Sequence, residues 1–600
     1  MTLSPNPDPT QQFVYAARLE DLQATQAGCL SVQVEGHTLA LFLHEDRVYA
    51  VDNRCPHMGF PLDRGTVKEG ILTCHWHHAR FDLASGGTFD LWADDVLTFP
   101  TKVHNGNIWV DIGARARTHD YYRARLRDGL ERNIPLVIAK AVLALLDGEA
   151  GDPVEPFCIG LDFGTRYRHN GWGQGLTILT CLMDILPYLA PEERPRALYH
   201  GLSAVAQDSR GNPPRFTVRP LPALEADMVT LRRWFRQFIE VRDAEGAERC
   251  VVSALRAGAT QREMADMLFT AATDHRYLQG GHVLDFINKA FEALDIAGWE
   301  YSEAALSSLI PALAAADRME ESNAWRSPDD LVAILERAFD RLSSAIKSGR
   351  SKPASVPPTQ DIIPTLLGGN PQDIVDALLA ALRGGCPPVD LAGLVAYAAA
   401  LRIAQFHTSN EFRDWDTALH AFTFANAVHQ GLQRIGPQPL HGESYVPLVR
   451  GIFDAAMTVY LNRFLNIPAA RLPQPEGTVT DDPDALLAEL PGLLNHQQQV
   501  DEAGRLVAGY LYVGGNPDAL LAALGAALLR EDRDFHTIQT VEAAFHQFTL
   551  QKDSEASTHL LIAAARYLAA HAPTLRAQGQ TYQIAARLHR GDHLFEAGTE

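Results

Sequence analysis

The chain has 600 residues, of which 46% are hydrophobic and 21% are charged. A single hydrophobic core stops growing near about 250–300 residues, so this length predicts several domains. The 52 basic and 73 acidic residues give a formal net charge of −21. Such a charge disfavours nucleic acid or an anionic membrane as the main partner, because both select a basic surface.

The composition also bears on the compartment. The N-terminus lacks the basic segment and apolar stretch of a secretory signal. The longest strongly apolar stretch, 134–146, is too short to span a bilayer and is interrupted by a lone lysine, Lys140. Seven cysteines are too few for a disulfide framework in a chain of this length. These features predict a reduced, cytoplasmic protein.

The first part of the chain is predicted to consist of strands. Residues 1–11 predict a flexible N-terminus, and residues 12–115 predict a small all-β domain. Turn signals such as Glu35-Gly36 and Ser85-Gly86-Gly87 separate its β-rich runs. The clearest of these runs are 39–43, 47–52, 71–74 and 108–112.

Helical periodicity dominates from about residue 116 onwards. A stretch rich in serine, proline and basic residues, 348–360, predicts a linker between two helical halves, 116–347 and 361–600. The predicted fold class is therefore multidomain, with a small all-β domain followed by a large all-α domain. The clearest amphipathic helices are 227–241, 261–273, 329–347, 371–383 and 518–530.

Two stretches of the helical part resemble each other. Gly-Gly-Asn-Pro begins at Gly368 and again at Gly514, each time followed by an Ala- and Leu-rich helix. An Arg-Asp-aromatic triplet follows each, at 413–415 and 533–535, and then a histidine-bearing helix. A true duplication predicts stacked helical repeats. Ala- and Leu-rich helices also resemble one another by composition alone, so both interpretations stay open.

The motif that carries chemistry lies in the predicted β domain. Cys55-Pro-His57 is followed, after 16 intervening residues, by Cys74-His75-Trp-His77. Both pairs lie at the ends of predicted strands, where two loops can bring two thiolates and two imidazoles together. A zinc site with the same four ligands would instead pair cysteine with cysteine and histidine with histidine at short spacing.

These motifs resemble the Rieske family, as do Gly59 and Pro61 in the loop after the first pair. The resemblance covers about residues 12–115 and leaves the helical remainder unrecognised. It implies a [2Fe–2S] cluster with two thiolate and two imidazole ligands. By this resemblance one iron is bound by Cys55 and Cys74, and the other by His57 and His77.

The two loops are similar to the ferredoxin and oxygenase type of this family. Respiratory members carry an extra cysteine in each loop, whereas this chain has Met58 and Phe60 after His57 and no spare cysteine near His77. The resemblance therefore implies a reduction potential at the low end of the range, roughly −150 mV. His75 and His78 are interpreted as partly exposed neighbours of His77 rather than ligands.

The helical part does not match a standard Rieske oxygenase, because no two of the 23 histidines have the H-x₄-H spacing of its iron site. Several histidines instead lie four residues from a carboxylate, as in Asp416 and His420, or share a predicted helical face, as in His275 and His282. Such residues predict a two-histidine, one-carboxylate iron site between helices. The candidate ligands are His275, His282, His420, His429, His536 and His546.

Two functions remain open. In the first, the chain is an O₂-dependent oxygenase or oxidase of a small organic substrate, and the cluster feeds electrons to a non-haem iron in the helical part. A flavin reductase or ferredoxin would then be the electron donor, because the chain shows no nucleotide-binding fingerprint. In the second, a ferredoxin-like carrier or redox sensor is fused to a helical protein-binding scaffold.

Overall fold

The computed structural model describes residues 13–113, 118–148, 151–222, 227–437, 446–474, 482–551, 554–592 and 594. The predicted flexible N-terminus, 1–11, lies outside these ranges. The chain divides into two compact units. The first consists of Met1–Asp152 and Gln580–Glu600, and the second is Pro153–Gly579.

The predicted all-β domain is confirmed in the first unit. Its strands form three antiparallel sheets, with the orders β1-β10-β9, β2-β3-β4-β8 and β5-β6-β7. The strands are β1 (Phe13–Arg18), β2 (Cys29–Val34), β3 (His37–His44), β4 (Arg47–Asp52), β5 (Thr66–Lys68), β6 (Ile71–Thr73), β7 (Arg80–Asp82), β8 (Thr98–Phe99), β9 (Thr101–His104) and β10 (Asn107–Asp111).

Strand β3 lies at the centre of this domain because both of its faces are buried. Successive side chains of a strand point to opposite faces. Leu39 and Leu41 belong to one apolar cluster. Phe42, on the other face, belongs to a second cluster that also contains Cys55 and Cys74. The two cysteines of the motif are therefore part of the domain core.

The large helical region predicted after the β domain is also confirmed. No described helix is both long and apolar enough to cross a bilayer. The helices are α1 (Leu19–Gln23), α2 (His119–Arg132), α3 (Pro135–Leu145), α4 (Val154–Arg166), α5 (Gln174–Asp184), α6 (Arg194–Ser209), α7 (Met228–Glu240), α8 (Ala244–Arg256), α9 (Gln261–Ala272), α10 (His282–Ala297), α11 (Ser302–Ser308), α12 (Ile310–Ala315), α13 (Leu331–Arg350), α14 (Thr359–Leu366), α15 (Pro371–Gly384), α16 (Pro388–Ala404), α17 (Phe412–Ile435), α18 (Val446–Leu461), α19 (Pro483–Leu493), α20 (Val500–Tyr512), α21 (Pro517–Leu529), α22 (Phe535–Leu550), α23 (Glu555–Ala570) and α24 (Ala577–His589).

The repeated Gly-Gly-Asn-Pro sequence marks the starts of α15 and α21. The Asn370 side chain accepts hydrogen bonds from the backbone N–H groups of Gln372 and Asp373, and the Asn516 side chain accepts one from Asp518. Proline follows each asparagine as the first helical residue, where its missing N–H costs nothing. The shared sequence is thus a helix-capping signal.

The two Arg-Asp-aromatic triplets do not occupy equivalent helix positions. Asp414 is the third residue of α17 and forms a capping box with Glu411, whereas Asp534 precedes α22 and caps it. The histidines that follow, His420 and His536, consequently lie at different depths in their helices. Capping chemistry accounts for these similarities, and an internal duplication remains a prediction.

The predicted linker, 348–360, contains a short connection between two helices that pack in the same unit. Helix α13 ends at Arg350 and α14 begins at Thr359. Helix α13 packs against α15 and α18, which lie beyond the connection. The predicted halves 116–347 and 361–600 therefore differ from the observed units, which divide after Asp152. The amphipathic face of α13 therefore packs on helices that follow the connection.

Four helices of the second unit form a ring. Helix α10 packs against α5 and α17, and α22 also packs against α5 and α17. Helices α10 and α22 therefore lie across the ring from each other, with their side chains meeting in its centre. This is the arrangement of a four-helix bundle, whose core can hold polar and metal-binding side chains.

We predict that Gly86→Ala destabilises the first unit much more than Gly36→Ala. Both glycines have a left-handed φ, +78° and +86°, which costs about 1 to 2 kcal/mol for alanine. At Gly86 the added Cβ would also lie 2.0 Å from the carbonyl oxygen of Val96, whereas at Gly36 it meets nothing within 4 Å. Gly86→Ala should therefore cost about 3 kcal/mol or more. The temperature at which the visible cluster absorption is lost measures the difference, and equal temperatures for the two variants would contradict it.

Candidate metal centres

Two loops of the first unit have the same backbone construction. The first follows β4 and begins its motif at Cys55, and the second follows β6 and begins at Cys74. The backbone N–H of Cys55 donates to the carbonyl of Phe60 over 2.8 Å, and that of Cys74 donates to Ala79 over 2.8 Å. Each cysteine is thus held at the neck of a closed loop of the same length.

Each loop also turns through the left-handed region at the same place. Gly59 has a φ of 78° and His78 has a φ of 62°, four residues after the respective cysteine. The two loops bring His57 and His77 together, with ring centroids 4.8 Å apart and an interplanar angle of 88°. The four ligands predicted from the motif therefore come from two similar loops that face each other.

The chemistry of these side chains fits a Rieske-type [2Fe–2S] cluster, which takes up and releases single electrons when bound. Cys55 and Cys74 are 2% and 1% exposed. The hydrogen bond with Cys74, together with burial, raises the pKa of Cys55, whereas the hydrogen bond with Cys55 lowers the pKa of Cys74 to about 6. Burial, followed by the charges of His77 and Lys140, lowers the pKa of His57 to about 4. The buried His57 Nδ1 has no hydrogen-bond partner among the described residues.

Three of the six histidines predicted in the helical part come together in the ring of helices. His282 is the first residue of α10, His420 lies in α17, and His536 is the second residue of α22. One ring nitrogen from each lies within 4.8 Å of the others. The Nε2 atoms of His420 and His536 are 3.1 Å apart. We call this group the three-histidine site.

The geometry of this site suits one metal ion. Imidazole nitrogens bind first-row metals at about 2.0–2.1 Å, so two of them at a right angle lie about 3 Å apart. Burial lowers the pKa of His282 to about 4 and that of His420 to about 3, which leaves both imidazoles neutral. The rings of Phe286 and Phe535 lie 5.7 and 5.6 Å from the His282 ring and form an apolar wall. Three protein ligands leave positions open on the ion.

The carboxylate of Asp416 lies next to the three-histidine site but is not one of its members. Asp416 Oδ2 lies 3.9 Å from His536 Nδ1, the nitrogen that faces away from His420. Asp416 Oδ1 accepts a hydrogen bond of 2.8 Å from the Tyr567 hydroxyl and lies 3.8 Å from His571 Nε2. Asp534 Oδ2 also lies 3.9 Å from His536 Nδ1, so two carboxylates act on this imidazole through their charge rather than through a direct hydrogen bond. Among the described residues no carboxylate oxygen joins the three-histidine group, so the site differs from the predicted two-histidine, one-carboxylate site.

A second group of potential ligands lies further along the same ring. It consists of Glu292, Glu542 and His546. The Lys289 ammonium lies 2.6 Å from Glu292 Oε2, contacts Glu542 and is 3.5 Å from Asp184. Burial opposes its charge, but the carboxylates of Glu292 and Glu542 raise the pKa of Lys289 above its ordinary value. This lysine already supplies the positive charge that the group needs.

Two predicted histidines lie apart from both groups. His275 contacts Glu320 through Nδ1 at 2.7 Å and Glu240 through Nε2 at 3.0 Å. It does not share a helix with His282, because α9 ends at Ala272 and the chain turns through left-handed residues before α10. His429 forms amide contacts with Gln547 and Gln433. Both have ordinary structural partners.

Some residues of these sites had no strong signal in the sequence. Tyr567 is fully buried in α23, far along the chain from the three histidines it supports through Asp416. In the sequence, Lys289 is one of several charged residues in an amphipathic helical pattern, and nothing marks it as buried. The pairing of Asp416 with His420 four residues later is a local signal for this region, although Asp416 lies beside His536 and outside the group of three imidazoles.

Comparison with known proteins places the first of these sites in a family. Residues 12–98 match the model of the Rieske [2Fe-2S] domain. The ferredoxin component of the naphthalene 1,2-dioxygenase system of Pseudomonas putida is 30% identical over 104 residues, which are 17% of this chain and 98% of that protein. The 4beta-methylsterol monooxygenase of Methylococcus capsulatus is 34% identical over 94 residues, 14% of this chain and 25% of that protein. The solved ferredoxin of carbazole 1,9a-dioxygenase from Nocardioides aromaticivorans IC177 is 27% identical, with a TM-score of 0.16, over 17% of this chain and 97% of that one.

The fold and the paired loops define an iron–sulfur electron-transfer domain. Through this domain the chain belongs to the Rieske [2Fe–2S] family. The predicted [2Fe–2S] cofactor is confirmed. The domain extends beyond the matched residues, because β10 (Asn107–Asp111) pairs with β1 and with β9.

We predict that Cys55→Ser or His77→Ala abolishes the visible absorption of the cluster, because each iron needs both of its protein ligands. His75→Ala should retain the absorption and about two irons per chain. His75 is exposed and its Nε2 lies 3.2 Å from Thr66 Oγ1, outside the paired ligands. Absorption spectra and iron analysis of the purified variants provide the measurement. Loss of iron from His75→Ala would contradict the ligand assignment.

We predict that Lys289→Met destabilises the second unit by about 3–5 kcal/mol, because it leaves buried carboxylates without their cation. The Lys289 side chain is 1% exposed. Lys347→Met, at an exposed position near the end of α13, serves as the matched control and should have little effect. Denaturant unfolding followed by far-UV circular dichroism compares the two. A Lys289→Met midpoint equal to that of the control would contradict the role of this lysine.

Proposed function

We propose that this protein is an O₂-dependent oxygenase or oxidase of a small organic substrate. In this proposal the electrons held by the Rieske domain are used at a non-haem iron in the three-histidine site. The proposal is carried by one observation, the convergence of His282, His420 and His536 in the core of a four-helix ring. An electron-transfer domain needs a site that consumes electrons, and a metal with open positions is suited to that task.

The surroundings of the site support this role. Neutral imidazoles can bind iron without first losing a proton. The Phe286 and Phe535 rings keep one side of the site apolar, which suits an organic substrate and limits water. The Asp416 carboxylate lies 3.9 Å from His536 Nδ1, and the Tyr567 hydroxyl donates a hydrogen bond to Asp416. In this proposal the chain's own residues hold the metal, place a negative charge beside one of its ligands and shield it.

The same proposal includes partners and a location. A flavin reductase or a ferredoxin would supply electrons, as is suggested by the similarity of the first unit to the ferredoxin component of a naphthalene 1,2-dioxygenase system. A reducing, cytoplasmic location is supported by the seven cysteines, all of which lie in the described ranges and none of which forms a disulfide. Neither nucleic acid nor a membrane is proposed as a partner, in keeping with the net charge of −21.

Metal analysis of the full-length protein tests the proposal. The purified chain should contain about three iron atoms, two in the cluster and one in the three-histidine site. His282→Ala, His420→Ala and His536→Ala should each reduce this number to about two while keeping the visible cluster absorption. His496→Ala, which changes an exposed histidine of the second unit, should retain about three. Nitric oxide, an analogue of O₂, should bind the third iron and give a high-spin EPR signal that is lost in the three site variants.

Two outcomes would overturn the proposal. A wild-type protein with only the two cluster irons and no other metal would leave the helical unit without a redox site. A third metal that is zinc would exclude electron consumption there, because zinc has no redox chemistry in proteins.

A further inference from the structure

Helix α3 carries one charged residue in an otherwise apolar sequence. Its buried side chains include Val137, Ile138 and Val142. Lys140 lies among them, and its side chain is 15% exposed. Placing an ammonium group in such surroundings is unfavourable unless it has polar partners. The position of those partners therefore indicates the role of this lysine.

The partners of Lys140 belong to the first ligand loop. Its ammonium donates hydrogen bonds to the carbonyl of Pro56 and, over 3.3 Å, to the carbonyl of His57. It also lies 3.1 Å from Asp94 Oδ2. Pro56 separates two cluster ligands, Cys55 and His57, so the positive charge is bonded to the backbone between them.

The ion pairs around Lys140 leave a net positive charge beside the loop. Asp94 is shared by Lys140 and Arg125, whose side chain lies 3.0 Å from Asp94 Oδ1. Arg125 and Asp94 are each 9% exposed. A buried cation, Arg125, and a partly buried one, Lys140, thus share one buried carboxylate. The other carboxylate that pairs with Arg125 belongs to Asp128, whose side chain is 43% exposed, so solvent screens its charge.

We propose that Lys140 is a positioning residue that sets the reduction potential of the Rieske cluster in this protein. Reduction adds one electron to the cluster, and no bond is made or broken. A partly buried cation that is hydrogen-bonded to the ligand loop favours the more negative, reduced form of the cluster. Lys140 and Arg125 lie in α3 and α2, beyond the matched residues 12–98, so this device belongs to the chain's helical extension of the domain. The proposal does not depend on the three-histidine site.

Redox titration of the full-length protein tests this role. Lys140→Met should lower the potential, so that the ratio of reduced to oxidised cluster at a fixed applied potential falls about tenfold, equivalent to about 59 mV for one electron. Lys140→Arg, which keeps the charge, should stay within about threefold of wild type. Lys102→Met is the control, because Lys102 lies over the Phe13 ring in the β1-β10-β9 sheet and should leave the ratio unchanged. Iron content and visible absorption establish that each variant holds its cluster.

A Lys140→Met protein with an intact cluster and an unchanged potential would overturn the proposal. If that variant does not assemble its cluster, Asp94→Asn decides the question. Removing the carboxylate leaves Lys140 less compensated and should raise the potential, the opposite direction. A potential for Asp94→Asn that stays the same or falls would equally overturn the proposal.

Discussion

The need to compensate buried charge shapes the second unit. Along one face of α10 lie His282, Asp285, Lys289 and Glu292, at the spacing of successive helical turns. Across the ring, α22 presents a matching row of polar side chains. Gln539 donates to Asp285, and Glu542 contacts Lys289. An unpaired charge in such a core would cost several kcal/mol, so these contacts set how the two helices are aligned. The three-histidine site lies at one end of the two rows, where the alignment brings imidazoles together.

The first unit also buries groups that need polar partners, but it does so in a β domain rather than in a ring of helices. Its thiols lie in the apolar core of a small β domain, and two loops closed by equivalent backbone hydrogen bonds hold them there. Loops of this kind are rigid because their backbone groups are satisfied locally. Lys140 adds a cation from outside the β domain, bonded to carbonyls of the first loop. In both units a lysine with little exposure to solvent, Lys140 or Lys289, compensates polar groups that the fold has removed from water.

The comparisons divide the chain in the same place as its composition does. The ferredoxin component of Pseudomonas putida is matched over 98% of its length, yet the match covers 17% of this chain. An electron carrier of that size consists of the β domain alone. The helical unit Pro153–Gly579 is what distinguishes this chain, and the electron-transfer role established for the first unit does not extend to it. Its chemistry has to be inferred from its own side chains.

The sequence by itself determined the features that depend on near neighbours. The Cys55 and Cys74 motifs, the strand and helix classes, and the capping of α15 by Asn370 all follow from spacing within a few residues. Tertiary structure alone decided which histidines meet. His420 and His536 are 116 residues apart, and each also lies near acidic residues in sequence, as do His275 and His546, which join other groups. Local periodicity describes which residues share a face of one helix, but the packing of four helices selects which faces share a core. For that reason the sequence predicts a metal site between helices, while the structure brings three imidazoles together and places Asp416 outside their group.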